Sequence, residues 1–443
     1  IGGSSNQILD NNAFIGGGNG NIIGRQGQYS ATFGRNNRAF GSYGLVSGQD
    51  NYVSGNYSQA FGQLNKVTNH YAAALSGRSH EVGGVYSAVA SGDGNEIHSA
   101  SECFVGGGAN NHISGSRNAI LNGFGNRVGK DPTGSSTILR SFSTILNGSR
   151  NQAYQDYSLI GNGQNNVANG SYSVVLSGQN NTANGNHSSV VLGGAQVRSR
   201  GQYNLSFGYQ AVNDQNDSVV LGSQHIAYQS GSHNMLIGGT QNQANSTSQY
   251  SGVMSGRRNR VGGDDSVILG GRDNRQNTGD KSAILGGEFH QQTAVESVIL
   301  GGVSAKTLDF GYTASVVIPG HSRISSGGFY QKRTQAVLGR TTDATPLKLD
   351  QNGGTTGSTA TNMVPVWGQT FTVAYFQGTC VAHSDQGTDA KSWTFKGLMK
   401  KTIFSTHDFS VTVTEEIESS GASAWDLAIT QENNTTNGNF STG

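Results

Sequence analysis

The acidic residues whose spacing could support catalysis are Asp264, Asp265, Glu288 and Glu296. Glycosidic bonds are hydrolysed by two carboxyl groups about 5 to 9.5 Å apart, and these residues fall on neighbouring copies of a short repeat. Each of them also lies in a polar segment that is typical of a turn. We therefore expect no catalytic residues and a non-enzymatic protein, with a glycan-depolymerising enzyme as an alternative.

Histidine, aspartate and glycine occur in patterns that could bind ions or phosphate. His80, His225 and His290 fall near a position that Asn occupies in other repeats, where a polar turn residue suffices. Asp93 lies in a segment similar to a calcium-binding repeat, but such sites need Asp on successive turns. The glycines of segment 16–20 precede no predicted helix, and helix-start amides are the basis of phosphate binding. We expect no metal site and no cofactor.

All three tryptophans lie near the carboxy-terminal end, at Trp367, Trp393 and Trp425. Their rings could stack on sugars, although strand-borne Trp in a small sheet is more typical of a core. They are the candidate binding residues, and the binding site is otherwise unknown.

The composition excludes several classes of scaffold that could position these residues. Of 443 residues, 67 are Gly and four are Pro, and only 12% are charged. Helical bundles need more Ala, Glu, Lys and Leu, and collagen needs far more Pro. The net charge of +1 argues against the basic surface of a nucleic-acid-binding protein. No apolar stretch is long enough to span a membrane, and two cysteines exclude a disulfide framework.

A repeat of 14 to 16 residues dominates residues 1–340. Each copy carries a strand such as Ser173–Gly178, a Gly turn, a shorter strand with Asn followed two residues later by Ala or Val, and a polar turn. Repeats this short are the coils of a β-solenoid. The last apolar residue of each copy marks about 21 coils: Ile15, Phe33, Val46, Phe61, Leu75, Ala90, Val105, Leu121, Leu146, Ile160, Leu176, Leu192, Phe207, Leu221, Ile237, Met254, Leu269, Leu285, Leu300, Ile318 and Leu338.

Three consecutive apolar residues, as in 190–192 and 298–300, indicate that both faces of the strand are buried. A thin coil has one interior, so we expect the other face to pack against other chains. Three chains around an axis is the simplest closed arrangement. The Asn residues, at 51, 95, 110, 126, 151, 165, 181, 242, 259 and 274, are expected to stack their amides along the axis.

The strand, the Gly-Gly turn and the repeat length resemble the head repeats of trimeric autotransporter adhesins and the same module in bacteriophage tail fibres and receptor-binding proteins. The resemblance covers residues 1–340 and implies a left-handed parallel β-roll in a homotrimer. The chain departs from the adhesin heads in its longer coils and its richness in Asn.

The composition changes after Arg340, and residues 341–443 are predicted to form a small antiparallel β-sandwich. Predicted strands are 370–377, 392–400, 409–414 and 425–430. This region resembles a β-domain at the ends of phage tail-fibre proteins, and a last hairpin strand of that domain is expected to be missing.

The expected function is adhesion by a trimeric phage tail fibre or receptor-binding protein. It would attach to a host surface glycan or protein and to other virion tail proteins, without nucleic acid or membrane insertion. The expected location is the virion tail. An autotransporter adhesin on the bacterial surface is the first alternative.

Overall fold

The computed structural model describes residues 2–98, 100–129, 141–277 and 279–307, and then individual strands up to Thr442. No helix occurs among these residues, and hence none that could cross a membrane. The predicted all-β class is confirmed: the chain forms a parallel β-solenoid of about 19 turns and a small antiparallel sheet.

The first solenoid sheet consists of one short strand per turn. Its strands are Phe14–Asn19, Ala31–Arg35, Leu45–Gln49, Gln59–Gln63, Ala73–Ala74, Ala88–Val89, Phe104–Val105, Ala119–Ile120, Thr144–Ile145, Leu159–Ile160, Val174–Val175, Val190–Ala195, Leu205–Tyr209, Val219–Ser223, Met235–Thr240, Gly252–Val253, Val267–Ile268, Ala283–Ile284 and Ser297–Ile299.

The second sheet takes the shorter strand of each turn. Its strands are Gln7–Ile8, Ile22–Ile23, Arg38–Ala39, Tyr52–Val53, Lys66–Val67, Glu81–Val82, Glu96–His98, His112–Ser114, Arg127–Val128, Gln152–Ala153, Val167–Ala168, Thr182–Ala183, Arg198–Ser199, Val212–Asn213, Ile226–Ala227, Gln243–Ala244, Arg260–Val261, Arg275–Gln276, Gln291–Gln292 and Lys306–Thr307.

Every turn pairs in parallel with the turns before and after it. Val175 lies beside Ile160 on one side and beside Val191 on the other. In the second sheet, Ala168 lies between Ala153 and Ala183 in the same way. Equivalent residues therefore form columns along the solenoid axis.

Two inward columns form the narrow core. In the strand around Val175, Val174 is half-buried, Val175 is buried and Leu176 is 44% exposed, as the two-residue period of a strand requires. Ala168 fills the opposite side of the same turn and is fully buried. With so few apolar side chains per turn, backbone and side-chain hydrogen bonds must carry much of the specificity.

The last apolar residue of each repeat does not mark one structural position. Ile15, Val46, Val105 and Ile160 are buried, whereas most anchors, such as Leu176, follow the buried residue by one and face outward. The run of apolar residues hides the alternation, so sequence alone cannot set this register. Of the last two anchors, Ile318 lies on the strand Ser315–Arg323, and Leu338 lies outside the described residues.

Buried asparagines form a hydrogen-bonded ladder at the start of the second sheet. Asn166 Nδ2 donates to the carbonyls of Asn162, at 3.2 Å, and of Gly178 in the next turn, at 2.9 Å. Its Oδ1 accepts the backbone N–H of Asn181 at 3.1 Å. The ladder asparagines, all 1% exposed or less, are Asn21, Asn37, Asn51, Asn65, Asn95, Asn111, Asn126, Asn151, Asn166, Asn181, Asn242, Asn259 and Asn274.

The ladder confirms the predicted structural role of Asn, but two of its members lie one residue later than the sequence pattern indicated. Asn110 and Asn165, which the sequence pattern indicated, lie at corners with φ of 54° and 53°. Their neighbours Asn111 and Asn166 occupy the ladder. Two adjacent asparagines look equivalent in sequence, and only the turn geometry separates them.

Glycine is required where each first-sheet strand bends toward the second sheet. Gly178 has φ of +101°, and a Cβ built there would lie 2.1 Å from the carbonyl oxygen of Gly194 in the next turn. Neither the backbone conformation nor the spacing between turns admits a side chain.

Contacts divide the chain into two compact units, and residues 332–443 belong to the second. The expected boundary at residue 340 lies outside the described residues. Strands Ser315–Arg323 and Phe329–Gln335 follow the solenoid turns in the sequence. Thr372–His383, Ala390–Lys401 and His407–Glu418 then form an antiparallel sheet, close to three predicted strands. Another antiparallel sheet joins Val364–Pro365, Asn439–Thr442 and Ile429–Glu432.

Candidate assembly and binding surfaces

An outward-facing row of apolar side chains follows the first sheet along the solenoid. Each member comes directly after the buried residue of its strand. Members in successive turns, such as Leu269 and Leu285, are about 4.8 Å apart, and in some turns a small residue such as Gly161 holds the row position. We call this the outer apolar row. Its clearly exposed members, 38% to 49% exposed, are Phe33, Leu75, Leu121, Leu146, Leu176, Leu192, Phe207, Met254, Leu269, Leu285 and Leu300.

Further apolar residues widen this row. Val190, Val267 and Val298, each two residues before a row member, are half-buried on the same outward face. The outward face of the second sheet differs, since Arg38, Lys66 and many other polar residues occupy it. A largely apolar strip on one face and polar residues on the other is typical of an interaction surface.

Exposed tyrosines form a stack at one corner of five successive turns. Their ring centroids lie 5.0, 4.6, 5.0 and 4.9 Å apart, and the rings are nearly parallel. Each ring is 46% to 61% exposed, and each residue has a φ between 53° and 59°. The members are Tyr29, Tyr43, Tyr57, Tyr71 and Tyr86.

A second, shorter stack joins Phe142, Tyr157 and Tyr172, with centroids 4.9 and 4.8 Å apart. Because stacked rings cover one another's faces, both stacks present ring edges and, at the tyrosines, hydroxyl groups to solvent. Neither stack was predicted from the sequence. Their signal is Tyr recurring two residues before the first-sheet strand at the repeat spacing.

The tryptophans do not form a common site among the described residues. Trp393 is 2% exposed, and the Lys391 ammonium lies 5.5 Å from its ring centroid. Its ring therefore packs within the sheet and is not open to a sugar. Trp367 and Trp425 lie outside the described residues.

The candidate carboxylates have structural partners in the turns. Glu288 Oε2 accepts a hydrogen bond from Arg272 at 2.7 Å, and Asp264 Oδ1 accepts the backbone N–H of Gln249 at 2.8 Å. Asp265 and Glu296 occupy corners with φ of 51° and 53°. These contacts hold turns together and give the residues a structural role.

Asp93 takes part in an ion pair between turns. Arg78 Nη2 lies 2.6 Å from Asp93 Oδ2, and this hydrogen bond lowers the pKa of the Asp93 carboxyl. Both groups are solvent-exposed, so their contribution to stability is small.

His80, His225 and His290 occupy positions of the Asn ladder itself and are buried. His225 Nδ1 accepts the backbone N–H of Asn242 at 3.1 Å, and its Nε2 lies 2.9 Å from the Gly238 carbonyl oxygen. Burial lowers the pKa of all three imidazoles. The neutral ring thus takes the place of an Asn amide.

One cluster in the described part of the chain has the side chains for a metal ion: Glu96, His98 and His112, whose ligand atoms all lie within 4.8 Å of one another. This cluster was not predicted from the sequence. Its signal is a Glu-x-His strand followed by a His one repeat later.

Comparison of the chain with protein-family models and with curated proteins finds no match.

Proposed function

We propose that this chain is the subunit of a homotrimeric, non-enzymatic adhesion fibre of the phage tail-fibre or receptor-binding type. The outer apolar row is the observation that carries the proposal. Without a partner, large apolar side chains from Phe33 to Leu300 stay 38% to 49% exposed on a chain whose own core is narrow.

Burial of this row supplies a driving force for assembly. Complete burial of a Leu or Phe side chain contributes about 1.5 to 3 kcal/mol. Covering the remaining exposed part of one row member therefore contributes about 1 kcal/mol. Repeated over the row, this gain is large enough to hold chains together, and three identical chains around one axis cover their rows in a closed arrangement.

An adhesive role fits a repetitive solenoid whose polar turn side chains pair with neighbouring turns. In the trimer, three copies of each binding surface would engage a host glycan or protein with avidity. We place recognition in residues 341–443, whose sequence departs from the repeat and carries all three Trp residues. The fibre would lie on the virion tail beside other tail proteins, and an autotransporter adhesin on a bacterial surface is the second candidate.

The oligomeric state tests the role of the outer apolar row. Sedimentation equilibrium of the purified chain is expected to give about three times the 46.2 kDa of one chain. The double variant Leu269→Asp/Leu285→Asp places two charges in the row and should weaken association at least tenfold. The matched control Gln243→Asp/Gln291→Asp places the same charges on the outward face of the second sheet and should remain trimeric.

Two results would contradict the assembly proposal. A wild-type chain that sediments as a monomer at micromolar concentration would show that the row is covered in another way. A trimer that tolerates the Leu269→Asp/Leu285→Asp change would place the interface elsewhere. Circular dichroism of each variant shows whether the solenoid itself has folded.

Adhesion needs its own assay, because trimerisation alone does not establish it. Fluorescently labelled trimer is expected to bind intact bacterial cells saturably and to release no reducing ends from their surface glycans. Saturable binding to no strain of a broad panel would contradict adhesion. Glycan cleavage that disappears in Asp264→Asn or Glu288→Gln would instead favour the enzyme.

A further inference from the structure

Glu96, His98 and His112 converge on the outward face of the second sheet. Glu96 and His98 lie two residues apart on one strand and so share a face, and His112 pairs with Glu96 from the next turn. Glu96 Oε2 lies 3.3 Å from His98 Nε2 and 3.1 Å from His112 Nδ1. The two imidazole rings are 5.1 Å apart between centroids.

These distances match the edges of a metal coordination polyhedron. Zinc binds His nitrogen and carboxylate oxygen at about 2.0 to 2.2 Å. Two ligands of a tetrahedral ion at that distance lie about 3.4 Å apart. The cluster presents two imidazole nitrogens and one carboxylate oxygen, a donor set that suits zinc, nickel and copper ions.

Neighbouring charged side chains on the same face bear on a cation at this cluster. His112 itself is half-buried, with its Nδ1 atom held 3.1 Å from Glu96 Oε2. Glu81 lies beside Glu96 in the preceding turn but is paired with Lys66 Nζ at 2.8 Å. Arg127 lies beside His112 in the following turn, and its positive charge repels a cation at this position. The negative charge of Glu96 must therefore outweigh this repulsion.

We propose that Glu96, His98 and His112 bind one divalent transition-metal ion, with zinc as the reference ion. The ion links two successive turns of the solenoid. The side chains of Glu96 and His98 are 45% and 46% exposed, so a further coordination position faces solvent and takes water. Without an ion, His112 Nδ1 is hydrogen-bonded to Glu96 Oε2, and His98 Nε2 lies 3.3 Å from the same oxygen.

Titration with zinc chloride tests the site directly. The full-length, tag-free chain is treated with EDTA, dialysed and titrated by calorimetry at pH 7.5. We expect one ion per chain, with micromolar or tighter affinity. His98→Ala and His112→Ala should each weaken binding at least tenfold, and Glu96→Gln should weaken it while preserving the shape of the side chain.

A matched control and a spectroscopic readout separate this site from adventitious binding. His187 is also an exposed solenoid histidine, but its ring lies beside Tyr203, 6.3 Å away between centroids. His187→Ala should bind zinc like the wild type. Cobalt(II) should give visible d–d absorption bands in the wild type and in His187→Ala, but not in the double variant His98→Ala/His112→Ala.

Thermal unfolding adds a readout that requires the folded site. Zinc should raise the unfolding temperature of the wild type and leave that of the His98→Ala/His112→Ala variant unchanged. The proposal is overturned if the wild type binds no zinc at 100 μM, about a hundredfold above the expected micromolar range. It is also overturned if the double variant binds zinc as tightly as the wild type.

Discussion

Replacing Asn166 with Ala should cost far more stability than the same change at the adjacent Asn165. Asn166→Ala removes two hydrogen bonds that Nδ2 donates to Asn162 and Gly178 and one that Oδ1 accepts from Asn181. Each lost bond contributes about 1 kcal/mol, and an unsatisfied buried partner raises the cost to about 1 to 3 kcal/mol. We therefore expect a loss of about 3 to 5 kcal/mol in the free energy of unfolding.

The control residue has the same chemistry but lies outside the ladder. Asn165 occupies a corner with φ of 53°, where Ala is disfavoured by about 1 kcal/mol. Urea unfolding at fixed protein concentration, followed by circular dichroism, compares the two variants. Hydrogen exchange of residues 150–185 shows whether the loss is local. Equal losses in both variants, or a loss below about 1 kcal/mol in Asn166→Ala, would refute the ladder as a source of stability.

Three further predictions concern His225, Gly178 and the chain after Arg340. Because burial lowers the pKa of His225, the unfolded chain binds a proton at higher pH than the folded chain. The contribution of the neutral ring to the free energy of unfolding is complete above about pH 6.5 and falls as the pH drops below this value. The variant His225→Asn should show a smaller decrease in urea midpoint between pH 7.5 and pH 5.5 than the wild type. An equal decrease in both proteins would contradict a buried neutral His225. Gly178→Ala should lower the urea midpoint strongly, because its Cβ would meet the Gly194 carbonyl, whereas a variant as stable as the wild type would show that the turns can separate. A trimer truncated after Arg340 should lose cell binding, and full binding by that trimer would place recognition on the solenoid.

The repeat spacing was sufficient to predict the solenoid, because a 14- to 16-residue period leaves room for two short strands and two turns. The register of the first-sheet strands, that is, which side chains face inward, was harder to predict. In Val174, Val175 and Leu176 every residue is apolar, so the choice of the inward side chain depends on the bend at the following glycines. The same uncertainty placed the Asn ladder at Asn165 in place of Asn166.

The candidate surfaces were predicted only in part. The second apolar face was expected from the sequence, and the exposed Leu176 agrees with it. The tyrosine stack and the cluster of Glu96, His98 and His112 were missed, because residues 14 to 16 apart become neighbours only once turns are aligned. The burial of Trp393 depends on cross-strand packing that a single strand sequence does not encode.

The Asn ladder also bears on how such a chain can change length during evolution. Asn166, for example, is satisfied by its own turn and the two adjacent turns, so the hydrogen bonds of this ladder residue span no more than one repeat on either side. Duplication or deletion of one complete repeat would therefore preserve every column and move the ends by about 4.8 Å. An insertion of a few residues within a strand would instead put all later columns out of phase. Length in this architecture is therefore adjustable in whole-turn steps.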